Sequence, residues 1–327
     1  MAILVTGGCG YIGSHLVWAF QDRDERAVVL DDLSTGLAWS IPPDVTLVRG
    51  DVGDRELLDR IIQEHEIDAI VHFAGSSIVP ESVADPLGYY LNNTVKSHAL
   101  IEAAIRKGVK NFIFSSTAAV YGNPEVIPVH EDVVPKPVSP YGSSKLMTEI
   151  MLADTARAHD FRYVALRYFN VVGADPKGRT GQSTEGATHL IKVACETHRG
   201  LRPEVQVFGT DFDTPDGTGV RDYIHVTDLV DVHALALDFL REKKQSLVAN
   251  CGYGRGFSVL EVLAAVERVG GRKLPIRYSP RRPGDPARVV ASVDRLHEMT
   301  GWRPQWDDLD AIVSHALAWE MRRPDKT

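Results

Sequence analysis

The sequence predicts an α/β protein: a doubly wound parallel sheet followed by a smaller mixed α/β C-terminal domain. Three observations carry that prediction. Short, near-continuous apolar runs alternate with longer helical patterns through the first half, as expected of strands buried on both faces. A glycine-rich turn lies directly between the first apolar run and the first helical pattern. After Asn170 the texture changes, with residues 173–187 rich in Gly, Thr and charge.

Ala2–Thr6, Ala27–Leu30, Val45–Val48, Ala69–Phe73, Asn111–Phe114 and Tyr163–Arg167 read as strands. Tyr11–Phe20, Asp54–Glu64, Leu91–Lys107 and Tyr141–His159 read as helices. In Asp54–Glu64 the apolar Leu57, Leu58, Ile61 and Ile62 recur at helical spacing, and Gly108 stops the helix before it. The predicted domains are 1–170 and 171–327, with part of 220–250 free to return to the first sheet. Loops are expected at 209–219 and at Arg277–Arg288, a stretch with four arginines and three prolines.

The chain has 327 residues, enough for about two domains. Its 36 basic and 44 acidic side chains give a net charge of −8, which disfavours a general nucleic-acid partner. Cys9, Cys195 and Cys251 are odd in number and match no zinc spacing, which points to a reducing compartment and no metal. The N-terminus lacks a basic segment and a long apolar run, and no stretch of 18 apolar residues exists. A cytoplasmic protein with no membrane partner is expected.

Thr6-Gly7-Gly8-Cys9-Gly10-Tyr11-Ile12-Gly13 joins the first strand to the first helix. Gly7 permits the tight turn, Gly10 lets backbone N–H groups approach a pyrophosphate, and Gly13 lets the helix pack close to the sheet. This is the Rossmann-like dinucleotide loop. Asp31 follows the second strand, 18 residues after Gly13, where a carboxylate accepts a ribose 2′-OH and repels a 2′-phosphate. NAD is therefore the expected cofactor. Asp32 offers a second carboxylate, and the choice between the two stays open. Asp51-Val52 after the third strand is placed to bracket the adenine.

Tyr141 and Lys145 are four residues apart behind Pro140, so both face one way on a helix. An ammonium beside a phenol favours phenolate, and a phenolate can take a proton from a sugar hydroxyl. Thr117, at the end of the fifth strand, can hydrogen-bond the reacting oxygen. Ser115 reads instead as a strand-end hydroxyl capping backbone.

The Gly loop, Ser139-Pro140-Tyr141 with Lys145, Leu166-Arg167-Tyr168-Phe169-Asn170 and Gly217-Thr218-Gly219-Val220-Arg221-Asp222-Tyr223-Ile224-His225 together closely resemble the UDP-glucose 4-epimerases. These are NAD-dependent members of the extended short-chain dehydrogenase/reductase family. The resemblance runs from Met1 to about Trp319, and 217–225 is its most specific stretch. It implies reversible C4 epimerisation of a UDP-hexose through a transient 4-keto sugar, with NAD bound tightly, and a homodimer. It implies Tyr141, Lys145 and Thr117 as the catalytic group, Thr117 standing where members commonly carry Ser. It adds Tyr11, Ile12, Phe73, Ala74, Gly75, Ser77, Asn92 and Phe169 to the cofactor site. It implies Asn170, His189, Leu190, Phe208, Arg221, Arg282, Asp285 and Val289 for the UDP-sugar. Without the resemblance, the arginines of 281–288 read as a solvated basic loop.

Three departures from the family pattern stand out. Ser77 replaces a Lys near the cofactor phosphates, and His189 replaces an Asn against the substrate. Val289 stands where members carry either Tyr or Cys, and a small residue there is linked to acceptance of N-acetylated sugars. A one-residue shift would put Arg288 or Val290 at that place. A 4,6-dehydratase needs Asp-Glu after the strand-end Thr, and this chain has Ala118-Ala119. A UDP-pentose or UDP-uronic acid 4-epimerase is the alternative substrate reading. A protein that merely senses NAD, from a different class, would have no need of Tyr141 and Lys145.

Overall fold

The computed structural model describes residues 1–282 and 284–323; Pro283 and 324–327 of the predicted second domain lie outside them. In chain order the strands are β1 (Ala2–Thr6), β2 (Ala27–Asp31), β3 (Thr46–Arg49), β4 (Ile67–His72), β5 (Asn111–Thr117), β6 (Arg162–Tyr168), β7 (Asn170–Val172), β8 (Val205–Phe208), β9 (Val220–His225), β10 (Leu247–Cys251), β11 (Gly256–Ser258), β12 (Ile276–Ser279) and β13 (Arg288–Val289). The helices are α1 (Tyr11–Asp22), α2 (Arg55–Glu64), α3 (Val79–Ala84), α4 (Pro86–Tyr89), α5 (Lys96–Lys107), α6 (Pro140–Ala158), α7 (Leu190–Arg199), α8 (Val226–Lys243), α9 (Val259–Gly270), α10 (Asp294–Thr300) and α11 (Leu309–Arg322).

Seven parallel strands form the main sheet in the order β10-β6-β5-β4-β1-β2-β3. Chain order reverses between β4 and β1, so a crevice opens at their carboxyl ends. Every residue of β1 and β2 is buried, which is why their sequences read as unbroken apolar runs. One face is covered by α1 and α8 through Leu16, Val17, Phe20, Leu229 and Leu237. The other is covered by α2, α5 and α6 through Leu58, Ile61, Leu100 and Leu152. The returning segment is α8 and β10, which packs into this first sheet although it follows residue 171, whereas β9 (220–225) pairs with β7, β11 and β13 in a second sheet.

Three sequence expectations need correction. The predicted helix Leu91–Lys107 is interrupted: Tyr90–Val95 is a π turn that widens the backbone before α5 begins at Lys96. It aims Asn92 and Asn93 together at the segment after β4: Asn92 donates to Ser76 Oγ at 2.9 Å and Asn93 to Ser76 O at 3.0 Å. The strand predicted to end at Phe114 runs on to Thr117. The basic stretch Arg277–Arg288 contains the end of β12 and the start of β13.

The smaller part packs α7, α9 and α11 on β8 and β9 around Ile191, Val207, Val262 and Ile312. Behind the cleft, the first domain itself carries a buried polar network. Arg167 on β6 donates to both carboxylate oxygens of Glu149 on α6, with both side chains buried. Arg167 also donates to Tyr121 Oη, and Tyr121 donates to Asn250 Oδ1 on β10. Among the described residues, no helix is long and apolar enough to cross a membrane.

Four buried histidines set the acid limit of the fold. Burial pushes His15 and His233 down to about 4, and His72 and His225 to about 3, from the ordinary 6.5. The unfolded chain protonates these groups first, so their contribution is complete above about pH 6.5 and is lost as pH falls. Asp222 and Asp231, raised by burial to about 6, and Asp31 and Asp228, also raised, act in the opposite sense, while His189 and His315, lowered by burial, add to the histidine side. The thermal midpoint is expected to fall as pH drops from 6.5 toward 4; equal midpoints across that range in a pH series would contradict this.

Candidate active site

One cleft of about 1350 Å³ runs across the carboxyl end of the main sheet and under the smaller part. At its inner end the Gly loop turns from β1 into α1. Gly7 has φ +69°, and a Cβ there would lie 2.6 Å from Ala74 N; a Cβ on Gly13 would lie 2.3 Å from Gly7 O. Gly10 opens α1 with no side chain capping it, so free N–H groups point at the cleft. A glycine-lined floor beneath an uncapped helix N-terminus fits a dinucleotide pyrophosphate.

Asp31 is buried at the end of β2. Its carboxylate accepts from Cys9 N and Leu33 N, each at 2.9 Å, and burial pushes its pKa up. Two backbone bonds fix its orientation and leave lone pairs for a ribose hydroxyl. Asp32 is exposed and accepts from Ser34 N at 2.8 Å. Both line the cleft, with Asp51, Val52, Phe73, Ala74, Gly75, Ser77 and Asn92. Lys96 lines it too and holds Asp51 at 2.6 Å.

Thr117, Tyr141 and Lys145 meet midway along. Ser139 Oγ accepts from Gly142 N at 3.2 Å and Pro140 occupies the first turn, which starts α6 where Tyr141 faces the cleft. Thr117 is hydrogen-bonded to Tyr141. Lys145 Nζ donates to Ser115 O at 2.9 Å and lies 5.0 Å over the Phe114 ring. The electrostatics differ from the sequence expectation. Burial raises the Tyr141 phenol, and the bond to Thr117, not the ammonium, pulls it down. Burial also lowers Lys145 to about 8. Desolvation opposes charge on both groups, so an i, i+4 pair alone does not produce a phenolate.

Asn170, His189, Leu190, Phe208, Arg221, Arg282 and Asp285 line the outer end, beside Phe169. Arg282 stacks its guanidinium 3.7 Å from the Phe208 ring centre. Asn170 Nδ2 donates to Asp222 O at 3.3 Å, and His189 Nδ1 pairs with Gln182 Nε2 at 2.9 Å. Burial lowers the His189 imidazole and the Arg221 guanidinium, the latter opposed by Asp285. Val289 is the one sequence-predicted site residue outside the cleft lining. It pairs with Arg221 across β13 and β9 and packs against the cluster of Val120, Tyr121, Phe169 and Ala291.

The lining also includes Tyr223, Arg202, Arg277 and Lys96, which sequence reading did not single out. Tyr223 could have been found, because Arg221 and Tyr223 alternate along one strand and share a face. The other three come from segments with no motif. Among the described residues no group of His, Cys, Asp or Glu could hold a metal ion.

Residues 3–252 match the family described as "NAD dependent epimerase/dehydratase family". The chain belongs to that family. Among its relatives, a UDP-glucose 4-epimerase of Azospirillum brasilense is 57% identical over 97% of this chain and 91% of its own length. A UDP-glucose 4-epimerase structure from Stenotrophomonas maltophila, with bound NAD and formylated UDP-arabinopyranose, is 40% identical at TM-score 0.95, covering 98% of each chain. The UDP-Glc/GlcNAc 4-epimerase of Campylobacter jejuni is 43% identical at TM-score 0.86, covering 98% of this chain and 99% of its own. Membership in an NAD-dependent family agrees with the glycine floor and with carboxylates, not cations, at the end of β2.

Proposed function

We propose that this protein is a UDP-glucose 4-epimerase, interconverting UDP-glucose and UDP-galactose on NAD that it retains. The observation that carries this reading is one cleft holding a dinucleotide cradle, a Thr–Tyr–Lys group and an arginine-rich outer end, in that order. Relatives named for UDP-glucose across nearly their whole length favour a hexose over a pentose or uronic acid.

When bound, NAD supplies a positive charge and a reversible acceptor for the hydride of sugar C4, so that a 4-keto sugar forms and is reduced again. Gly7, Gly10, Tyr11, Ile12 and Gly13 would hold its pyrophosphate, and Asp31 its adenosine ribose. Tyr141 takes the proton of the 4-hydroxyl as general base and later returns it; Thr117 hydrogen-bonds the same oxygen. Lys145 keeps a proton near that path on a group brought down to about 8. Arg221 and Arg282 grip the diphosphate and Phe208 packs on the uracil. Affinity from this remote handle leaves the sugar free to present either face, as epimerisation requires. Ser77 carries no charge for the cofactor; Lys96 brings a cation to that half of the cleft, paired with Asp51.

We infer a homodimer as well. Val83 on α3, Leu87 on α4 and Leu91 and Val95 in the π stretch expose apolar side chains, and Met147 and Ile150 do so on the neighbouring α6. An apolar surface of that extent marks a protein interface. A cytoplasmic location is supported by three unpaired buried cysteines.

Purified protein given UDP-galactose without added NAD is expected to form UDP-glucose, and Tyr141→Phe to lower the rate about 10²- to 10⁴-fold with the fold intact by circular dichroism. No turnover with or without NAD would sink the reading. In the same assay UDP-N-acetylglucosamine is expected to turn over, and Val289→Tyr to suppress it several-fold while sparing UDP-galactose; equal rates for variant and parent would show that position 289, behind the cleft lining, does not govern the choice of sugar. Light scattering should give twice the chain mass, and Leu91→Glu should halve it; a monomeric parent protein would refute the dimer.

A further inference from the structure

Trp39 is 51% exposed, an unusual place for the largest side chain, and it stacks on Trp319 with ring centres 6.2 Å apart and planes at 26°. That is the offset-stacked range for an aromatic pair. Neither ring lines the cleft, yet Trp39 belongs to a segment that does and Trp319 packs against one that does.

Trp39 ends the segment that follows β2. Ser34, Thr35 and Gly36 of that segment line the cofactor end, and Gly36 lies against the Asp31 carboxylate, 2.7 Å from the place a Cβ would take. Leu37 N donates to Cys9 O at 2.9 Å and Ser40 Oγ to the same carbonyl at 3.0 Å, so the segment is tied to the Gly loop. Trp319, on α11, lies against Gly181, where a Cβ would come within 2.4 Å of the indole. Its Nε1 donates to Ser183 Oγ at 3.2 Å. Gly181 and Ser183 flank Gln182, which lines the outer end and pairs with His189. A continuous set of contacts therefore runs from Asp31 through the two indoles to His189.

We propose that the Trp39–Trp319 stack is a clasp that holds the cofactor segment 34–40 and the substrate segment 181–189 in register from behind the cleft lining. Both indoles are positioning residues. Loss of the stack frees both segments at once, so retention of NAD and affinity for UDP fall together while Thr117, Tyr141 and Lys145 stay in place. The clasp also gives the cofactor a hold that does not depend on a charge at Ser77. This inference rests on the epimerase reading above.

The test is Trp39→Ala in the full chain, with Trp39→Phe as the conservative variant. NAD per chain is measured after gel filtration, and the UDP dissociation constant by calorimetry in saturating NAD. An aromatic pair of this kind is worth roughly two- to tenfold in an equilibrium constant. Trp39→Ala is expected to leave less NAD bound and to weaken UDP by that factor, and Trp39→Phe to restore both. A purely structural role would lower the thermal midpoint and leave the two binding measures unchanged. The clasp is overturned if either measure in Trp39→Ala equals the parent value, or if Trp39→Phe fails to restore them. A parent protein that holds no NAD and binds no UDP overturns the epimerase reading, and the clasp with it.

Discussion

The approach of Gly7 to the Phe73–Ala74 backbone is the contact on which the cleft depends. β1 and β4 are neighbours in the sheet and diverge beyond their carboxyl ends, and the Gly loop turns inside that divergence. A side chain at Gly7 would meet Ala74 N at 2.6 Å, and one at Gly13 would meet Gly7 O at 2.3 Å. The loop therefore folds flat, α1 starts with its N–H groups bare, and the residues after β4 are left to line the same space. Everything further out is positioned relative to that floor.

Thr117, Tyr141 and Lys145 are held from behind by a buried polar network. Ser116, next to Thr117, hydrogen-bonds Glu149, which lies four residues beyond Lys145 on α6. Arg167 closes on Glu149 from β6, and Tyr121, Glu131 and Asn250 extend the bonds to β10 and to Val129. Removing one partner of such a pair leaves a buried charge and costs about 3–5 kcal/mol, whereas its net worth over an apolar substitute is small. The network acts through geometry: it fixes the register of β5, β6 and α6, and with it the distance from Thr117 to Tyr141.

Burial opposes ionisation at the centre of the cleft. The phenol is raised and the ammonium lowered by the same desolvation. A dry site strengthens each remaining electrostatic interaction. The outer end spreads its guanidinium groups over several segments, with Arg282 and Arg277 exposed and Arg221 more deeply set, where burial lowers it. In the proposed mechanism binding strength lies there and reactivity at the centre, a division suited to a substrate that must turn between two hydride transfers.

The sequence by itself determined the sheet, the dinucleotide loop, the Tyr141–Lys145 spacing and Thr117, because each is a local pattern: buried strands, glycines in a strand–turn–helix, two residues one helical turn apart. Most substrate-side positions were legible only through resemblance, since arginines in a proline-rich stretch carry no local signal of a pocket. Tertiary structure alone decided which arginines and lysines share the cleft, that α8 and β10 close the first sheet, and that Val289 packs beside Phe169 instead of lining the site. It alone set the direction of the Tyr141 shift, because desolvation depends on what surrounds a side chain. Trp39 and Trp319, 280 positions apart, meet only because α11 returns to the segment after β2, and contacts at that separation leave no period in a sequence to read.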